Sequence, residues 1–265
     1  MPVTDPATPR LSAVIITLNV ADRLGLCLDS LRGLADEIVV CDGGSTDATR
    51  ELAESHGARV IIERDWRGFG AQRQRAQAEA RGEWILMIDS DERLTTGLRE
   101  EIRNALEADD PDIAYTLPRL SWVFGRYIRH SGWWPDRVLR LYHRDHGAYN
   151  DALVHERVEL TPGTRVRKLT RPLLHHTYRN MQEYLVKSAG YAAAWARQRK
   201  AAGRRTSIAS GLTHGLSCFL HMYVVRGGFL DGRAGFLLAI VSAHSTFVKY
   251  ADLWLRDHDP GPPNQ

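Results

Sequence analysis

The sequence predicts an α/β protein with a mostly parallel, doubly wound sheet, followed by a helical extension. Three observations carry this. Short apolar runs near residues 12–18, 38–41 and 84–88 each stop at a polar or glycine-rich edge. Amphipathic helical patterns alternate with them, and from Asn180 onward the pattern is helical alone.

Taken in order, Ser12-Ala13-Val14-Ile15-Ile16-Thr17-Leu18-Asn19 reads as a buried strand with a polar end. Leu24, Cys27, Leu28 and Leu31 fall at i, i+3, i+4 and i+7, which predicts a helix over 22–33. Ile38-Val39-Val40-Cys41 is a β-branched strand that breaks at Asp42-Gly43-Gly44. Ser45-Thr46-Asp47 then opens a helix predicted over 47–55. A third strand over 59–63 precedes Asp65-Trp66-Arg67-Gly68-Phe69-Gly70, and a Gln/Arg-rich helix follows over 71–81. The strand in 82–88 leads to a helix over 96–108 with Leu98, Ile102, Ala105 and Leu106 on one face. Strict β-α alternation with short connections favours parallel strands. Residues 113 to about 174 are strand-rich, and residues 1–10 and 257–265 read as polar, Pro-bearing tails.

With 265 residues and 43% hydrophobic content, the chain can bury one sizeable α/β core plus an appendage. Three widely spaced cysteines without CxxC spacing, and no signal-like N-terminus, predict a reduced cytoplasmic protein. The net charge of +3 hides a segregation: residues 163–205 hold eleven Lys/Arg and one acid, Glu183. Such a run suits a solvated face or an anionic membrane surface. Nucleic acid is excluded as a partner, since no helix-turn-helix, RNP-like or zinc-finger spacing accompanies the charge. Residues 208–225 and 234–248 lack Asp, Glu, Lys and Arg but carry Ser, Thr and His. They are too short and too polar to span and are expected at a membrane interface, with core-completing helices as the alternative.

The most informative stretch is Gly82-Glu83-Trp84-Ile85-Leu86-Met87-Ile88-Asp89-Ser90-Asp91-Glu92, a strand that delivers two carboxylates to the sheet rim. Hard oxygen ligands in that position can meet a divalent cation and a diphosphate. In an open α/β sheet, ligands lie beyond the carboxyl ends of the strands. Strand ends at Thr17-Leu18-Asn19, Asp42-Gly43-Gly44-Ser45 and Asp89-Ser90-Asp91 therefore describe a nucleotide site. A Rossmann dehydrogenase would need GxGxxG after the first strand, and a nucleotidyltransferase a Gly-rich basic signature; the chain reads Leu18-Asn19-Val20-Ala21-Asp22 there.

Asn19, Asp42 to Asp47, Gly70-Ala71-Gln72-Arg73-Gln74 and Gly82-Glu83-Trp84-Ile85 leading into Asp89-Ser90-Asp91 together resemble the family 2 glycosyltransferases. These enzymes have the GT-A fold and are usually inverting. Gly68-Phe69-Gly70, the Gly132-Trp133-Trp134-Pro135-Asp136-Arg137-Val138-Leu139-Arg140-Leu141 block, Val154-His155-Glu156 and the aromatic, basic C-terminal region narrow the resemblance. They look most like bacterial lipopolysaccharide-core glucosyltransferases acting on inner-core heptose.

The resemblance implies a UDP-sugar donor, glucose in the closest subgroup, a lipid-linked core acceptor, and Mg2+ or Mn2+ as cofactor. It assigns Asp91 as metal ligand, Asp89 to the ribose, a metal-bound water or the metal, and Ser90 to the donor. Thr17, Asn19 and Asp42 would meet the uracil, although Asp42 could instead cap its turn with Ser45 and Thr46. Arg73 would contact the diphosphate; Gln74 stands where Asn is more usual, and Gly43 where a second Asp is common. The general base is Glu156, with Asp136 and Asp151 as rivals, and His175 or His176 is a third metal ligand. Trp133 and Trp134 could stack on an acceptor sugar. The implied organisation is a GT-A domain over 11–178 (11–110 for the nucleotide sugar, 111–178 for the acceptor) and a helical, membrane-associating extension over 179–256. A membrane-bound scaffold that binds UDP without turnover is the non-enzymatic alternative.

Overall fold

The computed structural model describes residues 9–151 and 156–258. In chain order the elements are β1 (Leu11–Thr17), α1 (Ala21–Leu31), β2 (Glu37–Asp42), α2 (Thr49–Ser55), β3 (Arg59–Ile62), α3 (Phe69–Ala78), β4 (Trp84–Met87), β5 (Glu92–Leu94) and α4 (Thr96–Ala108). There follow β6 (Ile113–Val123), β7 (Arg126–Tyr127), β8 (Asp136–His143), β9 (Gly147–Tyr149), β10 (Val158–Leu160), β11 (Arg165–Lys168) and β12 (Leu173–His175). Three helices close the chain: α5 (Met181–Ala201), α6 (Ile208–Leu220) and α7 (Gly232–His258). The described residues form two compact units, one from residues 9–119, 137–151 and 156–175, the other from 120–136 and 176–258.

The first unit is built on a sheet in the order β3-β2-β1-β4-β8-β6-β12-β5. Strands β3, β2, β1 and β4 are mutually parallel, and β8 joins β4 antiparallel. Because successive side chains alternate, Ala13 and Ile15 face one side and Val14 the other. The first side buries Leu24, Leu28 and Leu31 of α1, Ala53 of α2, and Leu98 and Ile102 of α4. The second buries Ala76 of α3 with Val39, Cys41, Ile85, Met87, Tyr142 and Tyr149. Helices thus cover both faces, which is the doubly wound GT-A arrangement that the β-α alternation predicts. Gly82 is required by packing: a Cβ there would lie 2.6 Å from the Ser12 amide nitrogen.

Two local readings differ from the structure. Helix α3 begins at Phe69 rather than residue 71, because Gly68 at φ 106° turns the chain directly into the helix. Strand β5 is absent from the sequence reading, since three residues are too few to show a period. It pairs antiparallel with β12, setting His175 opposite Glu92.

At the opposite end of these strands, Glu37 is an internal carboxylate. It accepts from Ser12 Oγ at 2.5 Å, the Arg81 amide at 2.8 Å, Arg81 Nε at 2.9 Å and Arg59 Nη2 at 3.3 Å. Burial alone would raise its pKa; these donors override it and bring the carboxyl down to about 2 from 4.5. A depressed carboxyl stabilises the fold fully above its unfolded pKa and loses that contribution as pH falls through the folded value. Glu37→Gln should therefore cost roughly 3 kcal/mol at neutral pH and flatten the stability curve between about pH 4.5 and 2, measured by urea unfolding across pH.

In the second unit, the end of β6 pairs with β7 through a turn at Phe124 and Gly125 and supplies Val123 and Ile128 to a core with Tyr184, Ala234, Leu238 and Val241. Helix α5 starts at an Asn180 cap: Asn180 Oδ1 accepts from the Glu183 amide at 2.9 Å, and Glu183 accepts from the Arg179 amide, just before the cap, at 2.8 Å. Helix α6 continues into a π-helical turn, His221–Val225. The core-completing alternative fails for α6. Its buried residues are Gly211 and Gly215, which lie against Phe247 and the Ala243 carbonyl of α7, whereas Leu212 and Leu216 are each 61% exposed. Of the eleven cations, Arg165, Arg167, Lys168 and Arg171 belong to the sheet unit and the other seven to the helical unit.

Candidate active site

Strands β1 and β2 end in register, with Thr17 opposite Asp42. Asp42 is fully buried and accepts from Thr17 Oγ1 at 3.0 Å, Ser45 Oγ at 2.5 Å, the Ser45 amide at 2.7 Å and the Gly44 amide at 3.0 Å. Its carboxylate folds the following turn, the capping geometry anticipated as the alternative to base recognition. Asn19, exposed and at φ 52°, ties the adjoining loop to the same turn: its amide donates to Ser45 Oγ at 2.8 Å and its Oδ1 accepts from the Thr46 amide at 2.8 Å.

Where β4 ends, Asp89 is gripped from two sides. Arg73 of α3 donates to Oδ1 at 2.7 Å, and Arg140 of β8 donates to Oδ2. Arg140 also reaches Glu92 Oε1 at 3.0 Å and the Tyr149 hydroxyl at 3.1 Å. Glu92, fully buried, accepts from the Asp89 amide at 2.9 Å and pairs with Arg119 at 3.6 Å. Arg73 lies over the Tyr149 ring at 5.2 Å, and its Nε is 3.8 Å from Glu156. Burial would raise the Asp89 carboxyl, but Arg140 and Arg73 hold it well below the ordinary range. Glu92 moves the other way, raised by burial and by the Asp89 charge in spite of Arg140. Burial and the neighbouring Glu92, Asp91 and Asp89 push the Cys27 thiol well up, which makes it a packing residue and not a nucleophile.

Asp91 faces a different set. Its Oδ2 is 3.7 Å from Arg23 Nη1 and 3.7 Å from His175 Nε2, with its side chain only 17% exposed. The β5–β12 ladder produces this meeting, since it brings His175 beside the turn that carries Asp91. Ser90 is half-buried between the two carboxylates.

Of the remaining candidates, Glu156 belongs to the cluster through Arg73, and Asp151 is exposed. Val154 and His155 lie outside the described residues. Asp136 and His176 belong to the second unit, where His176 stacks on Trp122 with centroids 6.4 Å apart and lies 3.5 Å from the Tyr127 hydroxyl. In that unit Trp133 packs against the helical core and Arg129 covers Trp134 at 5.8 Å. Sequence reasoning gave no role to Arg140, Glu92, Arg119, Arg23 or Tyr149. The available signal was Arg140 itself, a cation inside the otherwise apolar run Val138-Leu139-Arg140-Leu141-Tyr142.

A GT-A sheet with polar strand ends converging on an Asp-Ser-Asp turn defines the class of nucleotide-sugar-dependent transferases. Residues 12–202 match the family described as Glycosyl transferase family 2, and the chain belongs to that family: it is a glycosyltransferase. It is 32% identical to the lipopolysaccharide core biosynthesis glycosyltransferase LpsC of Rhizobium meliloti, over 96% of this chain and 95% of that one. It is 26% identical to an uncharacterized glycosyltransferase of Rickettsia bellii, over 93% and 86% of the two chains. In fold it resembles the mannosyltransferase PcManGT of Pyrobaculum calidifontis, solved with GDP-Man and Mn2+, at TM-score 0.54 and 15% identity over 96% and 89% of the chains.

Removing one partner from a buried ion pair leaves an uncompensated charge, at a cost of about 3–5 kcal/mol. Arg140→Met should lower unfolding free energy by about that amount, with Arg140→Lys recovering less than half because an ammonium cannot bridge Asp89, Glu92 and Tyr149 together. Equilibrium urea unfolding reads both; a loss under about 1 kcal/mol for the Met variant would contradict the cluster's structural role.

Proposed function

We propose that this glycosyltransferase moves a hexose, glucose from UDP-glucose, onto an inner-core heptose of lipopolysaccharide with inversion. We place it at the cytoplasmic face of the inner membrane, where a lipid-linked acceptor resides. The observation that carries this reading is the juxtaposition of Asp91 and His175 at the sheet rim with the Asp89, Arg73 and Glu156 cluster one turn away. The acceptor class is supported by the similarity to LpsC along nearly the whole of both chains.

Asp91 and His175 offer a carboxylate oxygen and an imidazole nitrogen 3.7 Å apart; the carboxylate suits Mg2+ or Mn2+, the imidazole favours Mn2+ of the two, and water or phosphate oxygens would complete the shell. Asp89, clasped by two guanidinium groups, fits the positioning or ribose role better than direct ligation. A bound cation would act as a Lewis acid on the departing diphosphate.

The chain's own groups supply the rest. Among the described residues Arg73 Nε and Nη1 are buried without hydrogen-bond partners, so diphosphate oxygens would satisfy donors that are otherwise costly to leave unpaired. Thr17, Asn19, Asp42 and Ser90 form the rim on which the nucleoside would rest. Glu156, 3.8 Å from Arg73 and half-buried, takes the acceptor hydroxyl's proton as that oxygen attacks the anomeric carbon and the UDP oxygen leaves with the bonding electrons.

Purified protein incubated with UDP-sugars, Mg2+ or Mn2+ and a heptose-terminated core acceptor tests the reading, scored by UDP release and product mass. Another nucleotide sugar or acceptor giving the faster turnover would reassign the substrates, and UDP binding without turnover would favour the scaffold. Asp91→Ala should abolish metal-dependent transfer with the fold intact, and undiminished rates in EDTA would remove the metal from the mechanism. Glu156→Gln should lower kcat by roughly 10²-fold with little change in donor KM. A comparable loss in Asp136→Asn or Asp151→Asn, with Glu156→Gln active, would move the base to that residue.

A further inference from the structure

We propose that α6 lies flat on an anionic bilayer, inserting the stripe Leu212, Leu216, Leu220 and Val224 among the acyl chains without crossing. This deepens the membrane placement proposed above and rests on it.

The helix has two unlike sides. Toward α7 it presents Gly211 and Gly215, which allow backbone approach to Ala243 and Phe247. Away from α7, Leu212, Leu216, Leu220 and Val224 recur every four residues and are exposed, as is Val225 at 70%. Thr213, His214 and Ser217, also exposed, flank the stripe with polar groups. An apolar stripe bordered by small polar residues is the layout of a helix in the plane of an interface, not of one surrounded by lipid.

Charge selects the occupant. Residues 187–249 contain nine Lys/Arg and one acid, Asp231. That acid is 1% exposed and is turned inward, accepting from the Arg129 and His130 amides and facing His130 Nδ1 at 3.1 Å. Arg204 and Arg205 precede α6, Arg226 and Arg233 follow it, and all four are exposed. A cationic rim around an apolar stripe complements lipid phosphate, whereas a second copy of the same face would set cation against cation.

Tethering argues against a crossing. The Arg226 carbonyl accepts from the Ser131 amide at 2.9 Å, and Asp231 is fixed to residues 129 and 130, so the far end of the apolar run is held against Arg129, His130 and Ser131 of the same unit. Ile208–Val225 is 18 residues, at the short end of the roughly 17–25 that a spanning helix uses, and carries Ser210, Thr213, His214, Ser217 and His221 among its apolar residues.

The test uses the full chain with vesicles and neither donor nor acceptor. Wild type should co-sediment with phosphatidylglycerol vesicles about tenfold or more better than with phosphatidylcholine ones, and the preference should shrink as salt rises. Leu212→Glu with Leu216→Glu should reduce binding about tenfold or more at unchanged thermal unfolding; if that pair fails to fold, Leu216→Ser replaces it. Gly203→Cys and Arg226→Cys, each in a Cys218→Ser background, should both react with an impermeant maleimide added outside the vesicles. Equal binding by variant and wild type, protection of one cysteine only, or a dimer that the variant converts to monomer would each overturn the proposal. Retained vesicle binding in a protein that transfers no sugar would overturn the proposed substrates alone.

Discussion

A carboxylate buried at the end of a strand must be matched by positive charge, and Asp89 is matched twice. Arg73 arrives from α3 and Arg140 from β8, so the grip fixes a helix on one face of the sheet and an antiparallel neighbour of β4 against the same turn. Glu92 extends the network by accepting from the Asp89 amide while facing Arg140 and Arg119. Desolvation offsets most of the Coulombic gain in such a cluster, so its main effect is to select one arrangement: any missing partner leaves a charge stranded in low dielectric. The β5–β12 ladder then sets His175 beside Asp91 on the same turn.

A comparable economy governs the first two strand ends. Asp42 satisfies the amides of its own turn, and Asn19 and Ser45 link the two loops through hydrogen bonds between neighbours. The rim is thereby built by side chains that cap backbone groups. Preorganisation of this kind lowers the entropy cost of binding a nucleotide and keeps catalytic groups from needing to be ordered in the transition state.

The two units are held together internally by different means. Sheet and helices in the first bury apolar residues on both faces. The second has a small core around Tyr184 and Leu238 and uses glycine contacts and an inward-facing Asp231 to pack its last helices. So small a core leaves much apolar surface outside, and the near absence of exposed acids there gives that surface an electrostatic sign.

Period and punctuation determined the elements: Leu24, Cys27, Leu28 and Leu31 are buried on α1 as their spacing requires, and Thr96–Ala108 begins at a Thr95 cap and buries the four residues expected of it. The Asp-Ser-Asp turn and its place on the rim were equally legible, because an apolar strand ending in acids is a local pattern. Whatever depends on pairing between distant segments was not. Glu92 and His175 are brought together by a three-residue ladder too short to leave a period, and Arg140 joins Asp89 across 51 positions through the β4–β8 register. Exposure of the apolar face of α6 was likewise open, since a stripe of leucines has the same spacing whether it meets a core or faces outward. Only the packing of Gly211 and Gly215 onto α7, which turned the leucines away, decided it.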